Sequence, residues 1–311
     1  MAWGGLLFLS QKDSESLLVY LASKIAYDGS KFHGFARQKG YLSVVECIEN
    51  ALRKVGIESE VIGAGRTDKG VHATGQVIKF EVPSFWDKER LRGLLNQKLA
   101  PHVMLRRIWE VGEDFHPRYD AKRREYRYIF GRYGGNVWLN DFVSYERFGE
   151  EERLREALGI FVGRHDFRLF SKSGSDAKTS IREIYRAILY RHEILGQEFF
   201  VACFQANGFL YAQVRLMMGA VLAYSRGEVE LETLKSQLLG GACGGSVADS
   251  TRNGAMGNMG ASSGVAGGVA VGDGVIGDRC VRDGRGDFGK TRDFYRIPAS
   301  PNGLYLTKVF Y

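Results

Sequence analysis

The sequence predicts an α/β fold of the α+β kind, in which two similar halves contribute to a mixed, largely antiparallel sheet with helices packed on it. Three observations carry this reading. Strand and helix patterns alternate from residue 17 to about residue 111, a second round of strands and helices follows from 123, and one long hairpin, 182–206, ties neighbouring strands together.

Taken in order, "LLVYLASKIAY" (17–27) reads as a strand broken by the turn signal "DGS". In "SVVECIENALRKVG", Ser43 and Glu46 form a capping-box pattern, while Val45, Ile48, Leu52 and Val55 recur at helical spacing and Gly56 supplies the stop. An apolar strand near Val61 leads into a glycine-rich loop and a strand, 76–82. A helix opening at Ser84 and running to about Leu99 and a strand over 103–111 complete the first half. The second half is read as a strand (123–131), a helix (150–162), a hairpin of 182–193 with 198–206 turning at "LGQ", helices near 209–225 and 230–239, and a closing strand, 303–311. The domain boundaries that follow are an N-terminal extension, 1–16, a catalytic subdomain, 17–112, and a C-terminal subdomain, 113–311. The last is interrupted by a glycine-rich insertion, 240–292. Of residues 240–289, 16 are glycine and only Phe288 is aromatic. Such a segment buries too little apolar surface to offset backbone ordering of roughly 1–2 kcal/mol per residue, so a flexible insertion is expected.

Composition narrows the function classes. The chain has 311 residues, 44% hydrophobic and 25% charged, the make-up of a folded globular protein. Its 43 Lys and Arg against 36 Asp and Glu give a net charge of +7, which favours a polyanionic partner, nucleic acid first. The excess concentrates in "RYDAKRREYRYIFGR" (118–132), where Arg118, Lys122, Arg123, Arg124, Arg127 and Arg132 interleave with Tyr119, Tyr126, Tyr128 and Phe130. That mixture suits phosphate neutralisation with base stacking, and equally suits a solvated strand with core aromatics. Cys47, Cys203, Cys243 and Cys280 show neither metal-ligand spacing nor a disulfide framework, so no metal is expected and a reducing, cytoplasmic compartment fits. No run approaches about 18 apolar residues, so no membrane span is expected.

"GRGDFGKT" (Gly284 to Thr291) matches the phosphate-loop pattern GxxxxGK[ST]. Neither flank has the buried strand and following helix that hold a nucleotide phosphate, so a nucleotide cofactor is not expected.

"IGAGRTDKGVHATGQVIKF" (62–80) places Asp68 between two glycines with Arg66 before it and Lys69 and His72 after it. An aspartate in such a loop is most often a turn former. Here polar groups crowd one short connection between apolar strands, where loops carry function on a rigid scaffold. Arg215, in "ANGFLYAQVRLMMGAV" (206–221), sits among apolar helix neighbours. It either snorkels to water or, if buried, needs a carboxylate. His72 is read as loop structure.

"AYDGSKFHGFARQ", "GAGRTDKGVHATGQV", "FHPRYDAKRREYRYIF", "ANGFLYAQVR" and "GLYLTKVFY" resemble, in order, blocks of the tRNA pseudouridine synthase A family. The resemblance spans nearly the whole chain apart from the N-terminal extension and the glycine tract. It implies two halves of RNA-recognition-like fold and a cofactor-free, metal-free isomerase that converts uridines 38 to 40 of the tRNA anticodon arm to pseudouridine. It also implies a homodimer with RNA bound across basic clefts. Asp68 matches the family nucleophile, Arg66 the arginine that helps hold the flipped-out state, Tyr126 the tyrosine packed on the target uracil, and Arg215 the arginine paired with the aspartate. Arg123, Arg124 and Arg127 are expected to join Arg66 and Tyr126 in binding RNA. The block before Arg215 reads "YAQVR" where members commonly have a histidine and a methionine, and the glycine tract has no family counterpart.

The residue types fit the chemistry. Moving uracil from an N- to a C-glycosidic link calls for a carboxylate near ribose C1′ and ring C6. Attack at C6, attack at C1′ and support of a glycal route all remain open at this point. Two other classes compete: a non-catalytic RNA-binding protein of the same fold, which would not need Asp68 with Arg66 and Arg215, and a synthase acting on another RNA.

Overall fold

A computed structural model describes residues 17–134, 136–174, 177–239 and 294–311. The expected N-terminal extension and the glycine-rich insertion, with its GRGDFGKT match, lie outside the described residues.

The described residues form ten strands in one sheet, with five α-helices. The strands are β1 (Leu18–Tyr27), β2 (Ile62–Gly63), β3 (His72–Pro83), β4 (Val103–Val111), β5 (Arg123–Gly131), β6 (Ser144–Tyr145), β7 (Gly163–Asp166), β8 (Ile181–Ile194), β9 (Gln197–Ala206) and β10 (Leu304–Phe310). The helices are α1 (Val44–Arg53), α2 (Lys88–Leu99), α3 (Glu151–Gly159), α4 (Gln213–Ser225) and α5 (Leu231–Leu238). The main strand order is β4-β1-β3-β10-β5-β9-β8-β7, with β2 on β3 and β6 on β5. Pairing is antiparallel except β10 with β3 and β5 with β6. The mixed, largely antiparallel expectation therefore holds, and the closing strand joins the first half to the second through its two neighbours, β3 and β5.

Local signals explain the elements. Ser43 caps α1 by accepting from Glu46 N at 3.2 Å, as the capping-box pattern predicts. The second helix starts later than expected: Ser84 N donates to Leu17 O, and Asp87 caps α2 by accepting from Arg90 N at 2.8 Å. The β8–β9 hairpin turns through Leu195 and Gly196, both left-handed (φ 50° and 75°), the conformation a tight two-residue hairpin turn needs. The strand expected near Val61 is the two-residue β2, and the short strands β6 and β7 are additions that a hydrophobic pattern is too short to reveal.

Packing puts Leu21, Ile25, Ile78 and Phe80 of the sheet into one buried core with Ile48 and Leu52 of α1 and Leu91 and Leu95 of α2. The same core runs on through Tyr128, Phe130 and Phe204 to Leu154 of α3 and Met217 and Val221 of α4. At about 25 cal/mol per Å² of apolar surface removed from water, this continuous layer anchors the loops that carry the polar groups. Among the described residues, no helix is long and apolar enough to cross a membrane.

Candidate active site

Asp68 lies in the loop between β2 and β3, and that loop is tied down on every side. Ala64 N donates to Val77 O at 2.8 Å, Gln76 Nε2 to Gly65 O at 2.6 Å, Phe35 N to Thr67 O at 3.0 Å, and Val71 N to Asp68 O at 3.1 Å. The buried Tyr27 hydroxyl bonds Thr67 Oγ1 at 2.8 Å. Gly34, at φ +105°, lets the 29–35 segment close on the loop, because a Cβ there would lie 2.9 Å from Thr67 O. With the backbone fixed in this way, Asp68 opens a turn through its carbonyl while its carboxylate meets a partner far away in sequence. Its carboxylate Oδ2 accepts from Arg215 Nη1 at 3.2 Å.

Arg215 is reached from the far side. It sits in the first turn of α4, whose entry through left-handed Ala212 is fixed by Leu210 N donating to Gln213 Oε1 at 2.8 Å. Its Nε donates to Ala299 O at 2.9 Å, and Ala299 N donates to Arg215 O at 2.9 Å. Arg215 is therefore clamped through its main-chain carbonyl and its guanidinium by a strap of residues preceding β10. The Arg215 and Asp68 side chains are only 15% and 20% exposed, so the pair is largely shielded from water. Of the two readings open for this arginine, the structure selects the paired one.

Tyr126 comes from the middle of β5, opposite Leu306 of β10 and Phe204 of β9. It is 8% exposed, with Phe209 edge-on to it at 5.2 Å. Burial pushes its phenol up to about 12, with the Arg124 charge opposing and the Asp68 charge adding to that shift. Arg124, two residues earlier on the same strand face, donates to Ala64 O, Arg118 O and Asn207 O, and burial lowers its pKa.

These groups line a cleft of about 630 Å³. Arg66, Lys69, Arg118, Arg124 and Arg182 reach it, and Asp68 is the only carboxylate on its walls among the described residues. Of the expected RNA-binding residues, Arg66, Arg124 and Tyr126 are thus brought together. Arg123 and Arg127 are not: strand alternation turns them to the other sheet face. There Arg123 lies over the Phe310 ring at 5.1 Å, and Arg127 Nη2 donates to Glu125 Oε1 at 3.0 Å. Phe209, Arg118 and Arg182 line the site but were not singled out for it from the sequence. The period-2 alternation with Tyr126 was the available signal for preferring Arg124 to its neighbours. His72 is structural. Its Nδ1 accepts from Gly29 N at 3.0 Å, so the proton sits on Nε2, which donates to Asp141 O at 2.8 Å. The ring stacks on Tyr305 at 4.7 Å, and burial lowers its pKa.

A separate cavity of about 720 Å³, between Arg132, Glu151, Arg191 and Glu198, offers no comparable chemistry. Its Arg191 is already paired with Glu151 at 2.6 Å and Glu198 at 3.1 Å.

A family profile described as tRNA pseudouridine synthase matches residues 24–120 and 157–242. The chain is 46% identical over 223 residues to a protein of Helicobacter hepaticus named tRNA pseudouridine synthase A, covering 70% of this chain and 88% of that one. A Wolinella succinogenes protein of the same name is 42% identical over 70% of this chain and 85% of its own length. A third, from Helicobacter pylori strain 26695, is 39% identical over 69% of this chain and 88% of its own.

Proposed function

The chain belongs to the tRNA pseudouridine synthase family, an isomerase family, and from that premise we propose that it converts uridines 38 to 40 of the tRNA anticodon arm to pseudouridine with Asp68 as nucleophile. The observation that carries the assignment of Asp68 is its ion pair with Arg215 in a cationic cleft beside Tyr126.

The reaction breaks the N1–C1′ bond, forms C5–C1′, releases the C5 proton and protonates N1. Atoms and electrons balance within the nucleotide plus solvent protons, so the chemistry calls for no redox partner. The Asp68 carboxylate bonds C1′ or C6 as the N1–C1′ bond is broken, and that bond breaks in turn once C5–C1′ has formed, returning the electron pair to the carboxylate. Arg215 aims it, because the clamp at Ala299 leaves Nη1 pointing at Oδ2. Reaching a base in a stem requires flipping it, which costs a few kcal/mol. Arg66 and Arg124 on the cleft wall offset part of that cost through phosphate attraction, and the Tyr126 and Phe209 rings supply apolar and stacking contact of roughly 1–3 kcal/mol. A phenol with its pKa near 12 keeps its proton at neutral pH, so Tyr126 acts there as a neutral hydroxyl and not as a phenolate base.

The resemblance further supports a homodimeric assembly built from two subdomains, 17–112 and 113–311. Free Cys47 and Cys203 fit a reducing, cytoplasmic setting. Position is tested by treating product tRNA with a carbodiimide that marks pseudouridine and mapping reverse-transcription stops. Stops at 38 to 40 are expected, and stops confined to other positions would assign a different target. Sedimentation at micromolar concentration checks the dimer.

A further inference from the structure

We propose that Arg182 and Arg124, with Arg118 alongside, form a binding site for one bridging phosphodiester of the RNA strand at the wall of the cleft. The proposal deepens the reading of the cleft as an RNA-modifying site and rests on it.

Arg182 belongs to β8, two strands away from β5, yet the register Arg124–Ala206–Ile184 brings the two arginines to the same end of the sheet. Both converge on Gly208. A Cβ at that residue would lie 3.7 Å from Arg182 Nε and 3.9 Å from Arg124 Nη1, so the glycine leaves the space between the guanidinium groups open. Among the described residues, neither charge has a counterion. Among the described residues, Arg124 donates to main-chain carbonyls, and Arg182 Nη1 donates to Thr179 O at 2.8 Å and Ile181 O at 2.6 Å. Among the described residues, no carboxylate lies within 4.0 Å of Arg118, Arg124 or Arg182.

Like charges held together and partly desolvated are unfavourable until an anion joins them. The Arg182 guanidinium feels this directly, since burial and then the Arg124 charge lower its pKa. Arg118 adds to the positive field at Arg124 and lies over the Tyr119 ring at 5.8 Å. Protein carbonyls already hold these forks in orientation, so binding a phosphate costs little side-chain ordering. Two guanidinium groups facing one open space suit the tetrahedral, multiply accepting phosphate better than a planar base edge. The same cleft holds Asp68, so a phosphate seated here fixes the strand that presents the target nucleotide.

The test measures binding of a tRNA anticodon stem-loop to the full chain carrying Arg182→Gln, with Arg182→Lys as the variant that keeps charge but not the fork. Affinity at low salt should fall several-fold in Arg182→Gln and lie between it and wild type in Arg182→Lys. The slope of log affinity against log salt should shrink by about 0.7 to 0.9, the loss of one phosphate contact. Stem-loops with a single neutral methylphosphonate linkage, moved along the strand, should show one linkage whose substitution weakens wild type but not Arg182→Gln. An unchanged slope, or additive losses at every linkage, would overturn the phosphate site, and weakened binding without a slope change would assign Arg182 to a base instead. Turnover is read separately. A wild type that binds with this signature but makes no pseudouridine would keep the phosphate site and sink the synthase reading.

Discussion

Gly219→Ala probes the aim of the nucleophile from a residue that touches neither Asp68 nor the cleft wall. Gly219 lies one helical turn beyond Arg215 on the same face of α4. An alanine Cβ there would sit 2.0 Å from Ile297 O and 3.2 Å from Ala299 N, whereas ordinary contact begins at 3.4 Å. Helix and strap must therefore separate by about 1.4 Å at Ile297, the difference between those two distances. Ala299, two residues on, is the group that both accepts from Arg215 Nε and donates to Arg215 O, each at 2.9 Å, so a movement of this size pulls the clamp beyond hydrogen-bond reach. Overpacking of this kind costs roughly 1–3 kcal/mol, which lowers the melting temperature by a few degrees in a chain of this size. A misplacement near 1 Å at the reacting group costs on the order of 100-fold in turnover. The assay pairs tritium release from C5-labelled uridine in tRNA with a thermal melt and a tRNA-binding titration. Turnover should fall about 100-fold while affinity stays within a few fold, since the arginines on the cleft wall are untouched. Wild-type turnover together with wild-type melting would refute the clamp.

Three further outcomes follow from the same geometry. Arg215→Lys replaces a fork that spans Ala299 O and Asp68 Oδ2 with a single ammonium that cannot serve both, so single-turnover rates should drop roughly 10- to 100-fold with little change in tRNA affinity. Tyr126→Phe should retain tRNA binding and lose turnover. Because the folded phenol titrates near 12 against 10 when unfolded, its contribution to stability is complete below pH 10 and falls by roughly 2–3 kcal/mol as pH rises to 12, and denaturant titrations should show that slope reduced in the variant. His72 is displaced in the opposite direction for a base. Burial depresses its folded pKa below 6.5, so the stability it provides is present above pH 6.5 and lost as pH falls, and His72→Gln, which cannot take up the proton, should flatten that acid limb.

Local chemistry was the legible part of this chain. The Ser43–Glu46 cap, the LGQ turn and the limits of β1, β4 and β5 depend on neighbouring residues and were readable from spacing. The α2 start was misplaced because Ser84 and Asp87 are both good caps, and Ser84 is instead drawn into a backbone bond with Leu17. Asp68 and Arg215 stood out by residue type and Tyr126 by the family resemblance, but their meeting depends on pairings far apart in sequence. β10 threads between β3 and β5, and the strap before it turns Arg215 toward a carboxylate 147 residues away. Arg182 was invisible for the same reason, since only the β5–β9–β8 register places it beside Arg124. The choice of Arg124 over Arg123 and Arg127 was within reach of simple alternation around Tyr126.

The central claim, that Asp68 carries out uridine isomerisation in tRNA, is tested most directly by tritium release from C5-labelled uridine in tRNA with a pyrimidine-rich 38 to 40 stretch, comparing wild type with Asp68→Asn. Release by wild type and none by Asp68→Asn, with tRNA affinity within a few fold, is the predicted result. Release by Asp68→Asn near the wild-type rate would contradict the assignment of the nucleophile, and no release by either protein, with tRNA still bound, would contradict the catalytic reading itself.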